Sequence, residues 1–132
     1  MFLYLVFVGL GTLFVLFFLV CLQIGNAVKA QCESAKTQYG GDCVEALIFR
    51  LNDQEQSFRT RNSTIWALGQ IGDERALPVL LTYFNGDIPD RESLSLGISQ
   101  YELKKAINLA SGSLNITAPF WRNELFLGEA LK

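Results

Sequence analysis

The sequence predicts an all-α protein: a single N-terminal transmembrane helix followed by a small helical domain. Three observations carry this reading. Met1 to Val28 contains no charged side chain, and Phe2 to Leu22 is apolar apart from Gly9, Gly11, Thr12 and the Tyr4 hydroxyl. Beyond Lys29 the apolar residues recur at i, i+3, i+4 and i+7, the period of an amphipathic helix. No long stretch alternates with a period of two, so strands are not expected.

The first segment, residues 1–28, reads as a membrane anchor. About 20 apolar residues cover the hydrocarbon core, a span of roughly 30 Å as a helix. A cleaved signal peptide competes for the same residues, but its apolar region is only about 7–15 residues and its start is usually positive. Here Phe2–Leu22 is a run of 21 residues, preceded by no lysine or arginine. The retained anchor is therefore the expectation. Five of the ten phenylalanines (Phe2, Phe7, Phe14, Phe17 and Phe18) fall within it and are expected to meet lipid. Gly9 and Gly11 lack the four-residue spacing of a helix-pairing face.

The side of the membrane is drawn two ways. Lys29 and Lys36 follow the span, which by the positive-inside rule places the domain in the cytoplasm. Cys32 and Cys43 point outward instead. In an oxidising compartment they would close a loop around Tyr39-Gly40-Gly41, stabilising the fold by about 3 kcal/mol in the chain-entropy model. The reading adopted leans to the extracytoplasmic side.

All 13 acidic and 11 basic residues lie after Val28, and the net charge of −2 gives no field to attract nucleic acid. Histidine is absent, which removes the commonest general base and metal ligand. The three cysteines have no CxxC spacing, so no metal site is expected, nor any cofactor or small-molecule substrate. The alternative function is an envelope thiol or redox protein using Cys32 and Cys43. Against it, a nucleophilic cysteine would lack a histidine base, and ten intervening residues is not a redox-motif spacing. Asp87 and Asp90 sit in a turn-rich loop and read as solvated turn formers. Asn62-Ser63-Thr64 and Asn115-Ile116-Thr117 match the glycosylation pattern.

Residues 29–42 read as a juxtamembrane connection, either a short polar link or a helical continuation of the anchor, that ends in the break Gly40-Gly41-Asp42. A helix is expected over Cys43–Leu51, with Val44, Leu47, Ile48 and Leu51 inward. The next is expected over Glu55–Ile71, with Phe58, Ile65, Leu68 and Ile71 inward, stopped by Gly72-Asp73. A third runs over Glu74–Phe84 with Leu77, Leu80, Leu81 and Phe84 inward. Pro78 is costly in a helix interior, so Glu74–Ala76 reads as an introductory turn. After the loop Asn85–Asp90, Ser99 and Glu102 form the pattern of a capping box for a fourth helix, which Ser111-Gly112 closes. Residues 43–112 thus form the domain. Residues 113–132 form an aromatic tail (Leu114, Ile116, Phe120, Trp121, Leu125, Phe126 and Leu127), expected to pack on the domain, a partner or the bilayer.

Arg61 to Leu81 resembles a HEAT repeat of the bacterial phycobilisome-lyase-like type. The specific part is Ala67-Leu68-Gly69, Ile71-Gly72-Asp73, Arg75-Ala76, Pro78 and Leu80. The resemblance implies two antiparallel helices joined by a tight Gly-Asp turn. Gly69 would then allow close helix approach, Gly72 the left-handed turn, Asp73 the next helix cap, and Arg75 a bridge to a neighbouring turn. The whole chain also resembles small bacterial membrane-anchored HEAT-repeat proteins, which implies the bacterial inner membrane; with the cysteine pair favouring the outer side, the domain is expected to be periplasmic. Bilin lyases carry many more repeats and a bilin groove, so the shared module implies no chromophore chemistry. Repeat proteins bury their cores by stacking, usually with three or more repeats, and this chain has about one and a half. Something else must cover the open faces. The expected function is a non-catalytic accessory or scaffolding subunit of a membrane complex, with the bilayer and other membrane subunits as partners. Arg59, Arg61 and Trp66 on the repeat, and Phe120, Trp121 and Arg122 in the tail, are the candidate interface, because arginine and aromatic residues are enriched there; core packing is the commoner role of such tryptophans, and a solvated face that of such arginines.

Overall fold

The apolar start of the chain and the polar stretch behind it form one helix. In a computed structural model describing residues 1–122, α1 runs unbroken from Phe2 to Tyr39, about 57 Å at 1.5 Å per residue. It is long and apolar enough to cross a membrane. Between Phe2 and Val20 its side chains are exposed all round, with only Phe17 half-buried. One-sided burial begins at Cys21 and recurs at Gly25, Val28, Cys32 and Ala35. The domain therefore starts inside α1. The connection over 29–42 is largely a helical continuation of the apolar segment, one of its two sequence readings: no proline or turn former interrupts the helix before Gly40, which ends it at φ 71°.

α2 (Cys43–Asn52) begins with a full capping box between Asp42 and Glu45 and packs across α1. A disulfide joins Cys32 of α1 to Cys43, with Cα atoms 5.0 Å apart. α3 (Phe58–Ile71) starts at a Ser57 cap, three residues later than the Glu55 expected. The reason is local: the Asp53 carboxylate accepts the Glu55 N–H and holds these residues in a turn. That phase puts Ile65 and Leu68 in the core and leaves Phe58, expected inward, 40% exposed. A 3₁₀ turn at Glu74–Ala76 introduces α4 (Leu77–Tyr83), whose first turn accommodates Pro78. Leu80 is buried, whereas Leu81, also expected inward, is 53% exposed because so short a helix presents one narrow stripe. After the loop come α5 (Gln100–Ala110) and α6 (Ala118–Trp121). The described residues contain no strand.

α3 is the hub, packed against α1, α2 and α5. α5 runs parallel to it. Asn62 of α3 meets Ser99, and seven residues further along both segments Gly69 faces Ala106. A Cβ on Gly69 would lie 2.7 Å from the Ala106 Cα, so only glycine lets the two backbones approach this closely. α5 thus stands where the first helix of a following repeat would stand. Its expected capping box forms by half. Ser99 Oγ accepts the Glu102 N–H at 3.0 Å, but Glu102 turns to Lys105 (2.7 Å). Glu92 from the loop supplies the other carboxylate, accepting the Gln100 N–H at 2.7 Å and the Ser99 hydroxyl. The described part of the tail folds back on the core as the wholly buried Trp121 closes against Gly25. Leu125, Phe126 and Leu127 lie outside the described residues.

Candidate functional site

The Gly-Asp turn of the repeat forms as the resemblance implies. Gly72 takes the left-handed conformation at φ 68°, and Asp73 accepts the Arg75 N–H at 2.9 Å. A side chain at Gly72 would also meet the Arg122 guanidinium, 2.7 Å from a built Cβ. Arg75 then joins two successive turns, pairing with Asp73 at 2.9 Å and with Asp42 at 2.6 Å. Burial alone would raise Asp42, but the Arg75 hydrogen bond and the Glu45 N–H bring it below the ordinary 3.8. Asp73 is lowered chiefly by its hydrogen bond from Arg75.

Carboxylates depressed in the folded state stabilise it fully above their ordinary pKa. That stability is lost as pH falls through the folded value. Arg75 is half-exposed, so the network is worth only about 0.5–1 kcal/mol. Arg75→Met is expected to lower stability by that amount at neutral pH and to show a smaller deficit at an acidic pH below the ordinary 3.8. Denaturant midpoints at the two pH values check this. An equal deficit at both would remove the carboxylates from the account.

Two of the candidate interface residues, Arg61 and Trp121, are buried, and Arg122 is half-buried. Arg61 is 5% exposed; its Nε donates to the Leu51 carbonyl at 2.8 Å and its guanidinium lies over Tyr83. Trp121 is fully buried and donates its indole N–H to Thr117. Arg122 donates to the Gln70 carbonyl through Nε at 2.9 Å and through Nη2. Arg61 and Arg122 each cover a last-turn carbonyl of a preceding helix, where cations are favoured. All three side chains make their bonds and contacts within the fold. Phe120 stays exposed, beside the anchor rather than beside the repeat.

Arg59 and Trp66 are brought together. They stand seven residues apart on one face of α3 and border a groove of about 340 Å³ that also meets Gln31, Leu94 and Glu102. Arg59 is exposed, and its guanidinium has no hydrogen-bond or ion-pair partner among the described residues. A second lobe of about 360 Å³ shares Gln31, Arg59 and Ser63 and adds Ser34, Thr60 and Arg50. Arg50 was not expected here. It is 3% exposed and donates to Thr64 Oγ1 at 3.0 Å and to Gln31, yet no carboxylate pairs with it among the described residues. Burial lowers its pKa. Its position on the Cys43–Leu47 stripe was the available signal, since a cation on an apolar stripe needs a polar partner. No carboxylate lines the second lobe.

The sequon Asn62 is likewise internal: its amide donates to the Leu94 and Gly97 carbonyls and its oxygen accepts the Ser99 N–H. It ties down the loop that forms one groove wall, a role with no local signature. Cys32 and Cys43 are bonded and fully buried, and Cys21 is buried and free. Asp87 and Asp90 remain in the loop between α4 and α5. Among the described residues no three metal-ligating side chains cluster.

Comparisons with curated proteins and with solved structures return no match. The α3–α4 hairpin is matched by the family model of the PBS lyase HEAT-like repeat over residues 60–86, and on that match and the geometry of its Gly72-Asp73 turn the chain contains a HEAT-like repeat.

Proposed function

We propose that this chain is a non-catalytic, membrane-anchored docking subunit. α1 crosses the bilayer, and the groove beside α3 receives a segment of another membrane-complex subunit. The observation that carries this reading is the Arg59 guanidinium, without a partner among the described residues, sharing a groove wall with the half-exposed Trp66. Together with Arg50 below, which bonds to Thr64 and Gln31 but meets no carboxylate among the described residues, that surface complements a partner segment presenting a carboxylate and an apolar side chain. The buried Cys32–Cys43 bond supports an oxidising, extracytoplasmic location, against the two lysines that favour the cytoplasm. The bacterial type of the repeat it resembles then favours the periplasmic face of an inner membrane. The thiol reading draws less support, because neither bonded sulfur is accessible to an exchange partner.

The test is affinity capture of the full-length chain in mild detergent, with mass spectrometry of what stays bound. A fixed set of membrane subunits is expected with the unmutated chain. Arg59→Glu is expected to reduce its recovery about tenfold or more, the loss typical of a reversed hot-spot charge. Circular dichroism would establish that the variant remains helical. Recovery of the unmutated chain alone and monodisperse, or full retention by Arg59→Glu, would sink the docking reading.

A further inference from the structure

The stretch Leu114–Phe120 is built inside-out for a loop in water. No charged residue occurs from Ala106 to Trp121. Its two polar side chains, Asn115 and Thr117, are half-buried and bond to each other. Asn115 donates to Gln70 at 3.2 Å, and its oxygen accepts the Thr117 N–H, the Ala118 N–H and the Thr117 hydroxyl. Its large apolar side chains turn outward: Leu114 is 87% exposed, Ile116 67% and Phe120 39%. An exposed apolar group of this kind marks contact with something other than water.

The anchor says what that is. The Phe120 ring stands edge-on to Phe17 at 5.2 Å and to Phe18 at 6.0 Å. Phe18 is exposed and Phe17 half-buried, and both precede Cys21, where burial in the domain begins. The exposed run Phe2–Val20 measures about 28 Å along the helix, close to the roughly 30 Å hydrocarbon thickness. If α1 spans the bilayer, Phe17 and Phe18 lie just inside one edge of the hydrocarbon, and Phe120 lies there with them.

We infer that Leu114–Phe120 is a lipid-inserted wedge: a second membrane contact that seats the domain on the bilayer surface beside the anchor. Leu114, Ile116 and Phe120 enter the boundary between headgroups and acyl chains, and the internal bonds of Asn115 and Thr117 let the backbone do so without unpaired polar side chains. Two lipid contacts at separate points restrict the tilt of the domain, which a single helix leaves free.

This inference rests on the reading of α1 as membrane-spanning, and the experiment separates the two. The full chain carrying Cys21→Ala receives a nitroxide label at one position in turn: Ile116→Cys in the wedge, Leu10→Cys in the anchor, or Thr37→Cys at the far end of α1. Each is reconstituted in phosphatidylcholine vesicles, and collision with oxygen, which partitions into lipid, is compared with collision with a water-soluble nickel chelate. The expected result is lipid-type accessibility at positions 10 and 116 and aqueous accessibility at 37, with Leu114→Cys repeating the result at 116. Aqueous accessibility at 116 with position 10 in lipid would overturn the wedge and leave the anchor standing. Protection of 116 from both reagents would overturn it in favour of a protein cover. Aqueous accessibility at both 10 and 116 would overturn the anchor and the wedge together.

Discussion

Trp121→Ala is expected to destabilise the domain by about 3–5 kcal/mol, the cost of emptying a site filled by a large aromatic side chain. Trp121 is wholly buried, and its Cβ lies 3.2 Å from where a Cβ on Gly25 would stand, so little can collapse into the vacated space without moving α1. The whole stability of a small domain is about 5–15 kcal/mol, so the variant loses a large share of it. Trp121→Phe keeps a ring in the site and forfeits the N–H bond to Thr117, and is expected to recover more than half the loss. Guanidinium unfolding in mild detergent, followed by helical circular dichroism, measures both. A Trp121→Ala midpoint within about 1 kcal/mol of the unmutated chain would mean that α6 contributes nothing to the core. The same side chain positions its neighbour, because Phe120 reaches the anchor only while Trp121 holds α6 against α1.

Replacing Cys32 and Cys43 together by alanine is expected to cost about 3 kcal/mol, the chain-entropy value for a bridge across a sequence separation of 11. Alanine is the appropriate replacement, since serine would add buried hydroxyls where both sulfurs are fully buried. Thiol labelling reports on the bond in the cell. Protein unfolded without reductant is expected to label only at Cys21, and at all three cysteines once reductant is added. Labelling of all three without reductant would place the domain in a reducing compartment and leave the lysine count as the better guide to topology.

Much of the architecture was legible because it is local. The apolar run, the stops at Gly40 and Gly72, the caps at Asp42, Asp73 and Ser99, and the entry of α4 at Pro78 each depend on residues within a few positions. Even the bridge from Arg75 to Asp42, 33 residues away, was implied by the resemblance. The candidate site was legible only in part. Arg59 and Trp66 share the groove, but arginine and aromatic character alone could not tell them from Arg61, Trp121 and Arg122. Those three carry the same chemistry and spend it on the carbonyls of Leu51 and Gln70 and on the core.

The sequence by itself determined that the chain is helical, that it opens with an apolar helix of bilayer length, and that one HEAT-like hairpin follows. Hydrophobic period, capping and turn chemistry act over one or two turns of chain. Only the tertiary structure decided that α1 serves both as the apolar helix and as the first helix of the domain. It alone turned Arg50 and Asn62 inward and Phe120 toward the anchor. Those outcomes depend on contacts between residues far apart in the chain, such as Arg122 on Gln70 across 52 positions, and on which face each packed helix has left to offer.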